Sequence, residues 1–259
     1  MIEYFDCNSR LGRANDPKDS RIFTAAQFAE YYEYAGIKGA LVFHNEALTD
    51  WRTGNDRLIR EIQKYDNFIG CGVLVPSCTG ETGNISVYLD YLVSNGIKAI
   101  RLFPILNNFS LKPYSVDELI KGALKHRMPI LIDYINYRDT MLPYSSWDFS
   151  PDFDAIYELT ASYPKAAFIV IMPGMQSQRR QFALLAETRN VILEASSFGF
   201  RNIEYICREF GYGRLAFGTY MPVLEPGSFK TYLAYADIPE DEKNAIAGGT
   251  ILNMLNGVI

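Results

Sequence analysis

Little in this chain belongs to the usual metal and redox vocabulary. Its four cysteines (Cys7, Cys71, Cys78 and Cys207) are scattered without CxxC or CxxxxC spacing, which argues against a zinc knuckle or a dithiol motif. Histidine occurs only at His44 and His126. No run of about 18 apolar residues is present, so no membrane-spanning helix is expected. The start of the chain carries Glu3 and Asp6 where a secretory leader would have a basic segment and an apolar core. A reduced, cytoplasmic protein is the simplest expectation. With 25 Lys and Arg against 30 Asp and Glu, the formal charge of −5 gives no footprint for nucleic acid or an anionic membrane. Any anion binding must rest on a few local arginines.

Hydrophobic residues make up 48% of the 259 positions and charged residues 21%, the balance of a globular chain with a large core. Short apolar runs predict strands at Ile2–Cys7, Gly39–His44, Phe68–Val75, Lys98–Phe103, Pro129–Tyr134, Ala167–Met172, Val191–Ser196 and Arg214–Thr219. Most are apolar throughout, as expected where both faces of a parallel sheet are buried. Helical patterns lie between them at Thr24–Ala35, Asn55–Tyr65, Ile85–Ser94, Ser115–His126, Ser150–Ser162, Gln176–Glu187, Asn202–Phe210 and Gly227–Ala236, with a last helix at Asp241–Leu255. The repeat of roughly 30 residues and the strict β-then-α order predict an α/β fold, a (β/α)8 TIM barrel. GIKGALVFH (36–44) and GIKAIRLFP (96–104) repeat one helix-to-strand joint. A doubly wound open sheet would use similar joints, but NSRLGR after the first strand has neither GxGxxG nor GxxxxGK[ST]. One domain spanning 1–259 is expected.

Working residues of such barrels lie at the C-terminal ends of the strands. Those positions hold Asp6, Asn8 and Arg10; His44 and Asn45; Ser77 and Cys78; Arg101, Asn107 and Asn108; Asp133, Tyr134 and Asn136; Met172, with Gln176 and Arg179 beyond; Glu194, Ser196 and Ser197; and Thr219 and Tyr220. Asn8 and Arg10, two apart, share one strand face.

Four segments carry a family resemblance in the right order. FDCNSRLG resembles a first strand ending Asp-x-His-x-His-x-Gly, KAIRLFPILNNFSL a fourth-strand segment, FIVIMPGM a sixth-strand segment with histidine before the glycine, and LAFGTYMP a last-strand Phe-Gly-Ser/Thr-Asp-x-Pro. The chain thus resembles the amidohydrolase superfamily, in its amidohydrolase-related (amidohydrolase-2) branch, over nearly its whole length. That resemblance implies a metal-dependent-hydrolase-like barrel, but the metal-ligand positions fall on Asn8, Arg10, Asp133, Met172 and Tyr220. Only Asp133 could still ligate, and an arginine among the ligands repels a divalent ion. No metal and no cofactor is therefore expected.

Several residues have a plainer reading. His126, at a helix end, is expected to be structural; His44 is either a general base or a supporting hydrogen-bonder. Arg101, inside an apolar strand, needs a partner, and Asp133 on the next strand is the obvious one. Glu194 is expected to give structural support, Cys78 to be an ordinary thiol, and Ser196 and Ser197 lack the GxSxG of a nucleophile elbow. The aromatic stripe FAEYYEYAG is expected to pack on the barrel, its surplus tyrosines at a homodimer contact. Two functions fit. One is a metal-independent hydrolase or lyase, lactonase-like, acting on a small anionic molecule. Its catalytic candidates are His44, Asp133 and Tyr220, and its substrate-binding candidates Asn8, Arg10, Arg101 and Arg179. The other is a catalytically inactive barrel that keeps a binding or structural role.

Overall fold

The apolar runs form eight parallel strands hydrogen-bonded in chain order: β1 (Tyr4–Leu11), β2 (Ile37–His44), β3 (Phe68–Val73), β4 (Ile97–Leu102), β5 (Ile130–Asp133), β6 (Phe168–Ile171), β7 (Val191–Glu194) and β8 (Leu215–Ala216). This computed structural model describes residues 2–13, 24–77, 80–134, 151–171, 178–197 and 202–259. Helices α1 (Ala25–Ala35), α2 (Trp51–Ile62), α3 (Ile85–Ser94), α4 (Pro113–Lys125), α5 (Phe153–Ser162), α6 (Gln178–Glu187), α7 (Asn202–Phe210) and α8 (Gly227–Tyr235) follow the strands in turn. The expected (β/α)8 TIM barrel is the fold.

Strand alternation divides the apolar residues into two layers. Phe5, Cys7, Leu41, Phe43, Cys71, Val73, Ala99, Phe103, Leu131, Ile169, Ile171 and Ile192 fill the barrel. Their sequence neighbours, such as Ala40, Val42, Ile100, Ile130, Ile132, Phe168 and Val170, pack outward under the helices. Among the described residues, no helix is long and apolar enough to cross a membrane.

The seam between β8 and β1 departs from regular pairing. Cys7 N donates to Phe217 O and Arg10 N to Met221 O, both at 3.0 Å, and Ser9 bridges Met221. On its other side β1 carries a bulge: Asp6 pairs with Ala40 but Ser9 with Val42, so Cys7 and Asn8 together oppose Leu41. The extra residue shifts the phase of everything after it. β1 also runs four residues beyond the predicted Cys7 end, through Leu11, because the polar segment Asn8–Arg10 is held by backbone bonds on both sides. β8 is shorter than the predicted Arg214–Thr219, the chain beyond Ala216 being committed to the seam.

Two other boundaries differ from expectation for visible reasons. α2 starts at Trp51 rather than Asn55, because the Asp50 side chain accepts from Arg52 N and Thr53 N, both at 3.1 Å, and caps an extra turn. Gly54 belongs inside this helix, since a Cβ there would collide with the Ala47 backbone. The predicted last helix is α9 (Glu240–Asn244), a π turn at Ala245–Gly249 and α10 (Thr250–Asn256). The small residues AIAGG let this turn approach β1, where a Cβ on Gly248 would lie 2.8 Å from Phe5 Cβ.

Candidate active site at the strand ends

A chain of buried polar groups crosses the barrel near the C-terminal ends of the strands. Arg101, 1% exposed, donates from Nε to Asp133 Oδ2 at 3.1 Å and from Nη2 to the same oxygen at 2.5 Å. Nη2 also reaches Asn8 Oδ1 at 2.9 Å. Asn8 Nδ2 in turn donates to Glu194 Oε2 at 3.2 Å, and Glu194 accepts from Ser196 N at 2.6 Å and Ser196 Oγ at 2.7 Å. Asp133 and Glu194 are both 0% exposed, so each buried carboxylate has the partners that burial demands. The guanidinium lies 4.5 Å from the Phe43 ring centroid and 5.3 Å from that of Phe103, within cation–π range. The Arg101–Asp133 pair and the supporting place of Glu194 match the sequence reading.

Arg10 and Tyr220 form the second part of the mouth. Arg10 is buried and donates from Nη1 to Asn45 Oδ1 at 3.3 Å, while Asn45 Nδ2 holds Arg13 O at 2.8 Å. The Arg10 guanidinium carbon stands 5.8 Å from the Tyr220 ring centroid. Tyr220 is itself buried among the barrel-filling residues. Its φ of +58° is left-handed, a conformation costing an aromatic residue about 1–3 kcal/mol. Such strain clusters at functional sites.

Asp6, expected among the mouth residues, is corrected by the bulge. Its carboxylate turns with Ser9 toward α1, and Asn8 and Arg10 face the barrel. Oδ1 accepts from Asn8 N at 2.9 Å and Thr219 N at 3.0 Å. Oδ2 accepts from Ser9 Oγ at 2.5 Å, Tyr32 OH at 2.6 Å and the Thr219 hydroxyl. Asp6 thus ties β1, the β8 end and α1 together, and Tyr32 and Thr219 are its unforeseen partners. The one sequence signal for them was an aspartate alone in an apolar run. Burial and the adjacent Asp6 carboxylate push the Tyr32 phenol well above its ordinary pKa. Burial, Glu194 and Asp6 do the same for the Cys7 thiol.

His44 is not brought to the network. On its strand Phe43 faces the barrel; the His44 ring lies against Gly12, whose φ is +84° and whose added Cβ would meet His44 Cε1 at 2.6 Å. His44 Nδ1 accepts from Glu46 N at 3.1 Å, capping a short 3-10 turn at Asn45–Leu48, and Nε2 is 3.6 Å from Glu61 Oε1. Arg179 is exposed in the first turn of α6. His126 holds the chain end as expected of a structural residue, with Nδ1 2.8 Å from Ile259 O and Nε2 2.8 Å from Asp90 Oδ1. Met172, Gln176, Asn136 and Cys78 lie outside the described residues.

No protein-family model and no curated protein matches the sequence. Solved structures do match. A dihydroxybenzoic acid decarboxylase from Polaromonas sp. JS666, with bound manganese and 2-nitroresorcinol, superposes with a TM-score of 0.77 at 14% identity, over 99% of this chain and 97% of that one. A 5-carboxyvanillate decarboxylase from Sphingomonas paucimobilis gives 0.75 at 10% identity over 100% of both chains. A Staphylococcus aureus protein provisionally described as an amidohydrolase gives 0.74 at 14%, over 98% and 100%. Among the described residues no three His, Cys, Asp or Glu side chains converge, and Asn8 Oδ1 and Asp133 Oδ2 already accept from a guanidinium. What this chain shares with those proteins over its full length is their (β/α)8 barrel.

Proposed function

We propose that the chain is an enzyme of the amidohydrolase superfamily that takes a small anionic molecule at the strand-end mouth and acts on it without a divalent ion. The observation that carries this reading is Arg10, turned into the barrel beside a Tyr220 held at positive φ. A buried guanidinium next to an aromatic face suits a planar carboxylate, which it can grip through two parallel hydrogen bonds. The resemblance of the sequence favours a hydrolase or lactonase. The decarboxylases of similar fold favour an aromatic acid as ligand and a lyase as the reaction class. Asp133 and Tyr220 are the proposed proton-handling groups, with Asn8 and Arg101 fixing Asp133 in place. Arg179 is proposed to attract the anion at the rim, and His44 to support the Gly12 turn. A small-molecule ligand is the only partner this reading requires.

The test is thermal-shift screening with hydroxybenzoates, lactones, small aliphatic carboxylates and phosphates, on wild type and on Arg10→Gln, followed by chromatography of each stabilising compound after incubation. Stabilisation that vanishes in Arg10→Gln, with loss of the compound over time, supports the enzyme. A second reading has its own observation: Phe43, Phe103, Leu106 and Tyr220 are buried together at the barrel centre, as they would be in a filled, catalytically inactive barrel. No stabilisation by any compound, together with a strongly destabilised Arg10→Gln, would favour that reading over catalysis.

A further inference from the structure

We infer that Asp6 and Thr219 are the positioning residues of Tyr220, their hydrogen bonds forming a staple on the helix side of β1 that holds this ring at the mouth. The inference rests on the reading of Tyr220 as a working group of the mouth, and it adds residues that do not themselves touch a ligand. Tyr220 has a φ of +58°, a conformation that an aromatic residue keeps only where its surroundings over-determine it. The residues on either side supply that constraint. Before it, Thr219 N donates to Asp6 Oδ1 at 3.0 Å and the Thr219 hydroxyl donates to Asp6 Oδ2. After it, Met221 N donates back across Tyr220 to the same Thr219 oxygen at 3.1 Å, while Met221 O accepts from Arg10 N at 3.0 Å and Tyr220 O from Val223 N at 2.9 Å. The peptide groups on both sides of the Tyr220 Cα are therefore pinned.

The chemistry at position 219 is specific, because one side-chain oxygen gives a hydrogen bond to the carboxylate and takes another from the backbone. Serine can do both; valine, of the same shape as threonine, can do neither. Asp6 is held in turn by Tyr32 on α1, fully buried, whose hydroxyl donates to Oδ2 at 2.6 Å, so the constraint runs from a helix outside the sheet to the mouth. Without the staple, the strained backbone of Tyr220 relaxes toward negative φ. That rotation redirects its Cβ and carries the ring from its place beside the Arg10 guanidinium, 5.8 Å from the ring centroid.

The experiment places 3-fluorotyrosine at position 220 alone and reads its fluorine resonance in the folded protein, without and with benzoate as a planar carboxylate probe. Thr219→Val and Asp6→Asn are expected to move or split the resonance of the ligand-free chain, and Thr219→Ser to leave it in place. Asn55→Ala, which weakens the end of β3 away from the seam of β8 and β1, controls for general loosening and should also leave it in place. A benzoate response of the wild type should be lost in Thr219→Val and kept in Thr219→Ser. If Thr219→Val is recovered unfolded, Asp6→Asn and Tyr32→Phe, which keep the shape of the network, give the readout. A resonance unmoved in every folded staple variant overturns the inference, as does an equal displacement in Asn55→Ala. A wild type that shows no benzoate response, while the staple variants move the resonance, counts against the proposed function alone and supports the staple.

Discussion

Replacing Asp6 tests the seam most directly. Its carboxylate receives five donors, two of them the backbone N–H groups of Asn8 and Thr219. In Asp6→Ala those two amides lose a charged acceptor in a fully buried place, at about 1–3 kcal/mol each. The hydroxyls fare better, because Ser9 and Tyr32 already lie 2.5 Å apart and can satisfy each other. The expected loss is about 3–5 kcal/mol, or about 6–20 °C in melting temperature for a chain of this size. Asp6→Asn keeps the shape and one acceptor oxygen. Its amide can donate to hydroxyls that turn to accept, so its loss should be well under half of the alanine value. Tyr32→Phe removes one charge-assisted bond, at about 1.5–3 kcal/mol, and also changes the pH dependence. The folded phenol is held above its ordinary pKa, so it remains protonated where the unfolded chain ionises, near pH 10. Its stabilising contribution is complete below pH 10 and is lost as pH rises toward the folded pKa, by about 1.4 kcal/mol per pH unit. Urea denaturation between pH 7 and 11 should therefore show a shallower alkaline decline for Tyr32→Phe than for wild type. An alanine variant within about 1 kcal/mol of wild type, or an alkaline slope unchanged in Tyr32→Phe, would refute the account of the seam.

Arg101→Met and Asp133→Leu should each cost about 3–5 kcal/mol, and the double variant should cost at least 1 kcal/mol less than their sum; additive losses in denaturation curves would mean the two groups do not interact. Burial raises the Cys7 thiol far above its usual pKa and the Cys71 thiol to about 12, so mass-resolved iodoacetamide labelling at pH 8 should leave both unmodified until denaturant unfolds the chain. Asn55→Ala should cost about 2–4 kcal/mol, because the Asn55 amide meets Val73 O at 2.8 Å and Val73 N at 2.9 Å and continues the ladder at the end of β3; thermal melts suffice to check it.

The barrel was legible because most strands are apolar on both faces, a pattern that survives reading without any contact in hand. The Arg101–Asp133 pair was legible for the same reason: a charge inside such a run has few places to go. The Asp6 position was misjudged because simple alternation puts Asp6, Asn8 and Arg10 on one face, and only the bulge at Cys7 and Asn8 parts them. Bulges are decided by pairing to neighbouring strands, which no local window contains. Tyr220 is a similar case. Its left-handed backbone has no signature in residue type, since glycine or asparagine would be expected there. The inward turn of Phe43 in place of His44 follows from strand phase, which a histidine at a strand end does not reveal.

The bulge in β1 divides labour along the chain between side chain and backbone. Asn8 gives its backbone N–H to Asp6 Oδ1, and Arg10 gives its own to Met221 O. Any amino acid but proline supplies that group. The side chains of Asp6 and Ser9 tie β1 to α1 and the β8 end, while those of Asn8 and Arg10 reach Arg101, Glu194 and Asn45 at the mouth. The backbone bonds of the closure survive a change of side chain at positions 8 and 10. The mouth of this fold can thus change its occupation one residue at a time while its closure stays intact.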